Sequence, residues 1–469
     1  MRYHLRSTKQ GVSGLSLSTI ILAAGQGTRM RSDLPKVLQL LAGRPLLSHV
    51  LDVARALGSD DIAIVYGHGG GDVRATCTGD DIRWELQAEQ LGTGHAVQQA
   101  APEIPDENQA LILYGDVPLL TKATLKRLID ATGTDEVSVL TVAMDNPSGY
   151  GRIIRTDGAV IAIIEEKDAS EEESAVCEIN TGVMIAPGDK LKTWLEALSN
   201  DNAQGEYYLT DIVAMAVNDG TTVNGVKADD GIEVMGINDK KQLAEAERAL
   251  QARLVDELMA AGVGFADPAR VDIRGKLLCG KDVFIDINAV FEGDVELGDG
   301  TTIESNNLVR DSRLGPGSLI HSNCHIEGAT TGAYCEIGPF ARLRPGAELA
   351  DNVKVGNFVE IKKSTVASGS KVNHLTYIGD TDIGSGVNVG AGTITCNYDG
   401  VNKHRTTIGD GAFIGSGVNL VAPVEVGRDA TIGAGSTITK RVADEQLALE
   451  RSKQMTVKGW KRPVKKGAD

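Results

Sequence analysis

No two of the six cysteines, at positions 77, 177, 279, 324, 335 and 396, stand two residues apart. Their scatter suggests neither a zinc site nor a disulfide framework, and reduced thiols in a cytoplasmic protein are the simple reading. No apolar run reaches the roughly 18 residues that would span a bilayer, so no transmembrane segment is expected. Residues 1–17 carry Arg2, Arg6 and Lys9 but lack an apolar core, so they do not read as a secretory signal. They are expected to be a disordered extension or an alternative start. A basic excess is missing too: 47 Lys and Arg face 64 Asp and Glu, for a net charge of -17. That balance argues against sequence-independent nucleic-acid binding. An acidic chain that handles phosphates must gather cations locally. Lys458, Lys461, Arg462, Lys465 and Lys466 are one such gathering, or a solvated tail.

What the chain does have is a six-residue apolar beat. Ile408, Ile414, Leu420, Val426, Ile432 and Ile438 fall in step. So do Ile337, Leu343, Leu349, Val355 and Ile361, and before them Ile285, Phe291, Leu297, Ile303 and Val309. No α-helix has this period. One aliphatic per six residues, with small residues between, predicts a parallel β-helix in which three short strands make each coil. The beat runs from about 265 to 440, with short register shifts such as Val309 to Leu314. After Val389 and Thr395 the next member in phase is Ile408, so 396–407 must leave the coil as a loop.

Residues 19–239 alternate apolar strands with amphipathic helices, which predicts an α/β, Rossmann-like domain with a mostly parallel sheet. Ligands then bind beyond the carboxyl ends of the strands. Residues 240–261 contain neither Gly nor Pro and carry Leu243, Ala246, Leu250, Leu254 and Leu258 in one stripe, which predicts a connecting helix ended by Gly262 and Gly264. The expected division is therefore 1–17 extension, 18–240 α/β domain, 241–261 linker helix and 262–469 β-helix with a tail.

The string Leu22-Ala23-Ala24-Gly25-Gln-Gly27-Thr-Arg29-Met30 follows a strand directly and continues through Pro35 to Lys36. Glycines let backbone N–H groups approach anionic oxygens closely. A lone G-x-G is a weak sign, but the extended string is strong, and it resembles that of the sugar-nucleotide pyrophosphorylases. Leu86-Gln87 through Gly92-Thr93-Gly94 resembles that family's uracil-reading loop. Tyr114-Gly115-Asp116 places a carboxylate after a strand, which suits Mg²⁺. Gly149-Tyr-Gly151 and Asn180-Thr-Gly182 look like sugar-binding turns, and Glu165 like a sugar-hydroxyl acceptor.

In the β-helix, polar residues interrupt the repeat from Arg344 onward: Glu360, Lys362, Lys363, His374, Tyr377, Asn388, Asn397 and Tyr398. This cluster resembles the left-handed β-helix acetyltransferase domain; left-handedness is implied by the resemblance alone, since parallel crossovers are normally right-handed. Arg344 and Lys362 would bind a sugar phosphate. His374 has the acid-base range to take a proton from a sugar amine. Glu360 would orient His374, and Asn397 would bond the substrate or the tetrahedral oxyanion.

Together these motifs, over residues 18–462, resemble the bacterial family of bifunctional N-acetylglucosamine-1-phosphate uridylyltransferases and glucosamine-1-phosphate N-acetyltransferases. The resemblance implies acetyl transfer from acetyl-CoA to glucosamine 1-phosphate, followed by uridylyl transfer from UTP with release of pyrophosphate. The product would feed peptidoglycan and lipopolysaccharide synthesis. The implied UTP and UDP-sugar site comprises Leu22, Ala23, Ala24, Gly25, Lys36, Gln87, Gly92, Thr93, Tyr114, Gly115, Asp116, Gly151, Glu165, Asn180 and Asn238. Arg29 and Lys36 would neutralise phosphates, with Mg²⁺ on Asp116 and Asn238. The implied sugar-phosphate site of the acetyl reaction comprises Arg344, Lys362, Tyr377 and Asn388. Ala391, Asn397, Tyr398, Ser416, Ala434 and Arg451 would line acetyl-CoA. Homotrimers formed through the β-helix are also implied. One departure is Glu166, where the family commonly has His. The rival readings are a single-function nucleotidyltransferase with a merely structural β-helix and a non-catalytic scaffold or nucleotide-sugar sensor.

Overall fold

The computed structural model describes residues 16–59, 61–67 and 69–465. The expected extension lies outside them except for its last two residues, and Leu17 already opens the first strand. The chain forms two compact units, one ending at Leu250 and the other starting at Gln251.

The first unit is built on nine strands: β1 Leu17–Ala23, β2 Asp61–Tyr66, β3 Ile82–Leu86, β4 Gln109–Tyr114, β5 Val137–Ala143, β6 Arg152–Thr156, β7 Ala159–Ile164, β8 Glu178–Pro187 and β9 Val223–Lys227. Their order across the sheet is β9-β5-β8-β4-β1-β2-β3. All seven run parallel except β8, which is antiparallel to both neighbours. The hairpin β6-β7 hangs off β8. β1 is buried along its whole length, as a strand covered on both faces must be. One face carries α1 (Leu46–Leu57) and α3 (Lys122–Asp130); the other carries α2 (Thr93–Ala100), α4 (Gly188–Glu196) and α5 (Asp211–Asn218). Thr121 caps α3 by accepting the Thr124 N–H at 3.2 Å. The chain moves from β1 outward to β2 and β3, then returns to place β4 on the other side of β1. This reversal opens a crevice beyond the carboxyl ends of β1 and β4, where ligands bind in such sheets.

The helix expected at 240–261 is α6, Lys240–Ala260. Within the second unit its buried Gln251 ties it to the first coil, accepting the Ile273 N–H at 2.7 Å and donating to the Ile273 carbonyl at 2.8 Å.

The second unit is a parallel β-helix. Lys354–Asn357, Glu360–Lys362 and Ser364–Val366 make one coil; Lys371–His374, Tyr377–Gly379 and Thr381–Ile383 make the next. These strands define a first, second and third face. The beat points inward: Ile408, Ile414, Leu420, Val426, Ile432 and Ile438 are each no more than 6% exposed. Burial of each such side chain contributes about 1.5–3 kcal/mol. Buried hydroxyls between them bond to carbonyls of the coil, as Thr381 Oγ1 does to Gly379 at 2.9 Å, which offsets the cost of burying them; Thr406 Oγ1 is an exception, buried without a hydrogen-bond partner among the described residues. After Cys396 the chain leaves the prism, Tyr398 bridges Lys403 in antiparallel fashion, and the coil resumes at Thr406.

One corner of the prism turns through left-handed backbone in every coil. Asn288, Asn306 and Asn323 occupy it first, then Phe340, Phe358 and Leu375, and finally Gly392, Gly417 and Gly435, all at positive φ. Asn and Gly suit that conformation; Phe and Leu do not. Phe340 and Phe358 nevertheless stand exposed there, with rings stacked 5.3 Å apart.

Candidate active sites

In the first unit, the loop after β1 is shaped by Gly27. Its φ is +64°, and a Cβ there would lie 2.6 Å from Cβ of Lys36. The glycine therefore lets the loop close onto the turn that carries Lys36. The Lys36 ammonium donates to the Asp116 carboxylate and, at 3.1 Å, to Asn238 Oδ1. Both partners are held rigidly. Gly115 N–H donates to the Leu22 carbonyl and Ile237 N–H to the Asp116 carbonyl, each at 2.9 Å. Asn238 Nδ2 donates to Gly236 O at 3.1 Å, which turns its Oδ1 toward Lys36. Two hard oxygens thus converge on one cationic centre.

A cleft of about 300 Å³ opens beside them, lined in part by Leu22, Ala24, Gly25, Gln87, Thr93 and Tyr114. The Tyr114 ring packs so closely on Gly182 that a Cβ there would lie 2.5 Å from it. Burial, then Glu165 and Asp116, raise the Tyr114 hydroxyl above its ordinary pKa. Arg29 is exposed on the turn Thr28–Met30.

Asn180 and Gly182 lie in a bulge of β8, where the pairing with β5 slips between Asn180 and Met184, and not in a turn. The bulge re-aims the Asn180 side chain. Asn180 N–H donates to the Gly151 carbonyl at 2.8 Å. Glu165 lies beside Gly151 and accepts the Thr210 hydroxyl at 3.0 Å. Burial, reinforced by Asp211, Asp168 and Glu206, raises its pKa.

On the β-helix, Arg344, Lys362 and Gly379 succeed one another up the second face, with Tyr377 two residues before Gly379. Gly379 has no side chain, and the Tyr377 hydroxyl and Asn397 Nδ2 fold over it, 2.5 and 2.7 Å from where a Cβ would stand. Asn397 is buried and donates to Asp380 at 2.5 Å. The Lys362 amine is held below its ordinary pKa by the neighbouring Lys403 amine, with burial and Arg344 adding to the effect. Three cations therefore crowd one spot, Arg344 and Lys362 half-buried and Lys403 exposed. Asn388 lies elsewhere, on the first face between Lys371 and Phe413.

His374 sits at the corner between the first and second faces. Its Nδ1 lies 2.8 Å from Asn357 Oδ1. An amide oxygen only accepts, so Nδ1 carries the proton and Nε2 is left bare. Glu360 does not meet His374; its carboxylate accepts from Arg344 at 2.8 Å and lies 3.9 Å from Arg342. The physical reason is register: Glu360 pairs laterally with Arg342 and Tyr377 on the second face, whereas Asn357 is the residue opposite His374. Continuing the register, His374, Ala391, Ser416 and Ala434 stand in one column, one per coil. Arg451 donates to the Ala434 carbonyl at 3.2 Å. With coils spaced about 4.8 Å apart, the small-residue column extends about 14 Å from His374.

Residues 19–177 match the MobA-like NTP transferase domain family. Residues 405–440 match the bacterial transferase hexapeptide family, in its six-repeat form. A protein of Idiomarina loihiensis described as bifunctional protein GlmU is 56% identical over 453 residues, covering 96% of this chain and 99% of that one. Proteins of the same description from Azoarcus sp. and Herminiimonas arsenicoxydans are 57% and 55% identical, each over 96% of this chain and at least 99% of their own length. The chain belongs to the GlmU family.

Set against this GlmU scaffold, three residues stand beside the sites without having been singled out in the sequence. Asn357 precedes His374 by 17 residues, one coil, and counting coils backward would have found it. Asp380 precedes Asn397 by the same 17 residues and could have been found the same way, whereas Lys403 had no such signal, because it lies in the extruded loop that breaks the count. Glu166 accepts the Gly149 N–H at 2.7 Å and lies 3.6 Å from the buried Arg152 guanidinium. Arg152 in turn bonds the Tyr150 carbonyl and, at 3.3 Å, that of Ser174. Glu166 thus clamps the turn that carries Gly151. Replacing Glu166 by Ala is expected to raise KM for the sugar phosphate of uridylyl transfer about fivefold, from roughly 1 kcal/mol of lost ordering, with KM for the nucleotide unchanged. Steady-state kinetics with each substrate varied in turn checks this.

Proposed function

We infer that this chain performs both reactions of its family's chemistry: acetylation of glucosamine 1-phosphate by acetyl-CoA on the β-helix, then uridylyl transfer from UTP to N-acetylglucosamine 1-phosphate in the α/β unit. What carries the reading is that one chain holds two separate constellations, each suited to one reaction: the Lys36–Asp116–Asn238 cradle and the His374 column beside the Lys362 cation cluster.

For uridylyl transfer, a phosphate oxygen of the sugar phosphate attacks the α-phosphorus of UTP, and pyrophosphate departs. Catalysis of this kind is positioning plus neutralisation of charge. Lys36 and Arg29 supply positive charge beside the glycine loop. Gln87, Gly92 and Thr93 receive the base; Gly151, Glu165 and Asn180 receive the sugar. The raised pKa of Glu165 reflects a desolvated carboxylate, strongly disposed to accept a sugar hydroxyl. Asp116 and Asn238 fit Mg²⁺, since they aim two oxygens at a point where the Lys36 ammonium serves as a stand-in cation. Bound there, Mg²⁺ supplies charge neutralisation at the phosphates.

For acetyl transfer, Arg344, Lys362 and Lys403 hold the sugar phosphate. His374 Nε2 takes a proton from the sugar ammonium, with Asn357 fixing the tautomer. The freed amine attacks the thioester carbonyl, and the CoA thiolate leaves and is protonated. Ala391, Ser416 and Ala434 leave room for the coenzyme arm along their column, with Tyr398 and Arg451 at its margins. Asn397 has a second amide hydrogen beside Tyr377 for the substrate. Lys403→Ala is expected to raise KM for glucosamine 1-phosphate about tenfold, the loss of one charge-assisted contact, while uridylyl transfer stays at its normal rate.

The exposed Phe340–Phe358 stack and Leu375, 62% exposed, adjoin His374. Apolar surface of this kind is normally covered. A homotrimer formed through the β-helix covers it, with the extruded loop and its exposed Val401 reaching a neighbour. Among the described residues no helix is long and apolar enough to cross a membrane.

The two half-reactions test the assignment separately. N-acetylglucosamine 1-phosphate with UTP and Mg²⁺ is expected to release pyrophosphate without acetyl-CoA. Glucosamine 1-phosphate with acetyl-CoA is expected to release CoA without UTP. Failure of either removes that function from the chain.

A further inference from the structure

The amide of Gln87 has both its hydrogens spent inside the protein. Its Nε2 donates to the Gly92 carbonyl at 3.1 Å and lies 3.2 Å from His95 Nδ1. A carbonyl only accepts, so the amide atom facing Gly92 is the nitrogen. His95 Nδ1 faces the same nitrogen, so it accepts the second N–H and the imidazole proton resides on Nε2. Gln87 is otherwise packed away, 4% exposed, and it lines the cleft. The polar atom it has left for a ligand is Oε1, a pure acceptor.

His95 is itself well fixed. It lies in the first turn of α2, where Gly94 N–H donates to the Tyr207 carbonyl at 2.8 Å, and its ring lies 6.3 Å from that of Tyr207. Its carbonyl accepts from Gln99 at 2.9 Å. The imidazole therefore offers its lone pair to Gln87 from a set position.

We propose that His95 is a positioning residue that makes the cleft select uracil over cytosine, by consuming the one Gln87 hydrogen that would otherwise face the base. Uracil N3 carries a hydrogen and meets the Oε1 acceptor. Cytosine N3 is an acceptor and meets lone pair against lone pair. Without His95, one Gln87 N–H is released to swing toward the base, where it satisfies cytosine N3. The discrimination thus lies in the absence of a donor, and His95 is what keeps the donor away. The inference rests on the reading of this cleft as the UTP site.

The test measures kcat/KM for UTP and for CTP with N-acetylglucosamine 1-phosphate, in the full-length protein and two variants. His95→Leu is expected to lower the UTP-to-CTP ratio at least about tenfold, with kcat at saturating UTP within about threefold of normal. His95→Asn, whose Oδ1 stands near the position of Nδ1, is expected to keep the ratio within about threefold. An unchanged ratio in His95→Leu overturns the proposal, and so does an equal fall in both variants, which would make His95 a packing residue. The kcat at saturating UTP, measured in the same preparations, reports that the α/β unit of His95→Leu has folded. If the unaltered protein shows no preference for UTP, the UTP reading fails first, which separates the two.

Discussion

Replacing Asp116 by Ala is expected to lower uridylyl transfer about 10³-fold or more and to leave acetyl transfer within twofold. Among the described residues the carboxylate is one of two side-chain oxygens that converge on the Lys36 ammonium, and its backbone is held by the Ile237 N–H on its own carbonyl and by the bond of neighbouring Gly115 N–H to Leu22. Removing it takes away the fixed negative charge that would hold Mg²⁺ against the phosphates. Losing such a metal-phosphate bridge costs several kcal/mol of transition-state stabilisation, and each 1.4 kcal/mol is a factor of ten. Among the described residues it also leaves Lys36 tethered to the neutral Asn238 alone, free to bind phosphate in unproductive positions. Because the loss falls on charge developed in the transition state, kcat should drop more than KM rises. The check is pyrophosphate release from N-acetylglucosamine 1-phosphate and UTP over a range of Mg²⁺, with thiol release from acetyl-CoA measured in the same preparation. A uridylyl rate within tenfold of normal would remove Asp116 from the metal site.

The second large effect is at the other site. His374→Ala should lower acetyl transfer about 10²- to 10⁴-fold, the usual range for loss of a general base, and leave uridylyl transfer intact. His374 is exposed and its side chain bonds Asn357 alone among the described residues, so its removal costs little stability. Asn357→Ala should produce a smaller loss, because the imidazole then samples both tautomers and its orientation relaxes. Glu360→Ala should act differently, by releasing Arg344, and should raise KM for glucosamine 1-phosphate more than it lowers kcat. Equal loss of both activities in His374→Ala would point to misfolding of the whole chain instead of a missing base.

The apolar beat was legible in the sequence because a β-helix coil repeats a strict geometric demand, one inward side chain per strand. The same regularity located the extruded loop from a single missed beat after Thr395. Motifs adjacent in sequence, such as the glycine loop with Lys36, and Tyr114 through Asp116, could be read for the same reason: local chain sets their geometry. Relations across coils were harder. Glu360 looked like a partner for His374 because both are polar and near in sequence, yet register assigns it to Arg344 and gives His374 to Asn357. Lys403 joins Lys362 only because a loop of irregular length folds back onto the prism. The bulge at Asn180 read as a turn, since Asn and Gly favour positive φ in both settings and only the strand pairing distinguishes them. Phe340 and Phe358 gave no sequence sign of standing at a left-handed corner, a conformation that composition predicts for Asn and Gly.

The central claim is that one chain carries two successive reactions, the first supplying the substrate of the second. Supplying the protein with glucosamine 1-phosphate, acetyl-CoA, UTP and Mg²⁺, and following free thiol and pyrophosphate in one time course, tests it directly. The account predicts that thiol appears first, that pyrophosphate follows after a lag, and that omitting acetyl-CoA abolishes both. Pyrophosphate formed from glucosamine 1-phosphate without acetyl-CoA, or formed only when pre-acetylated sugar is added, would contradict it.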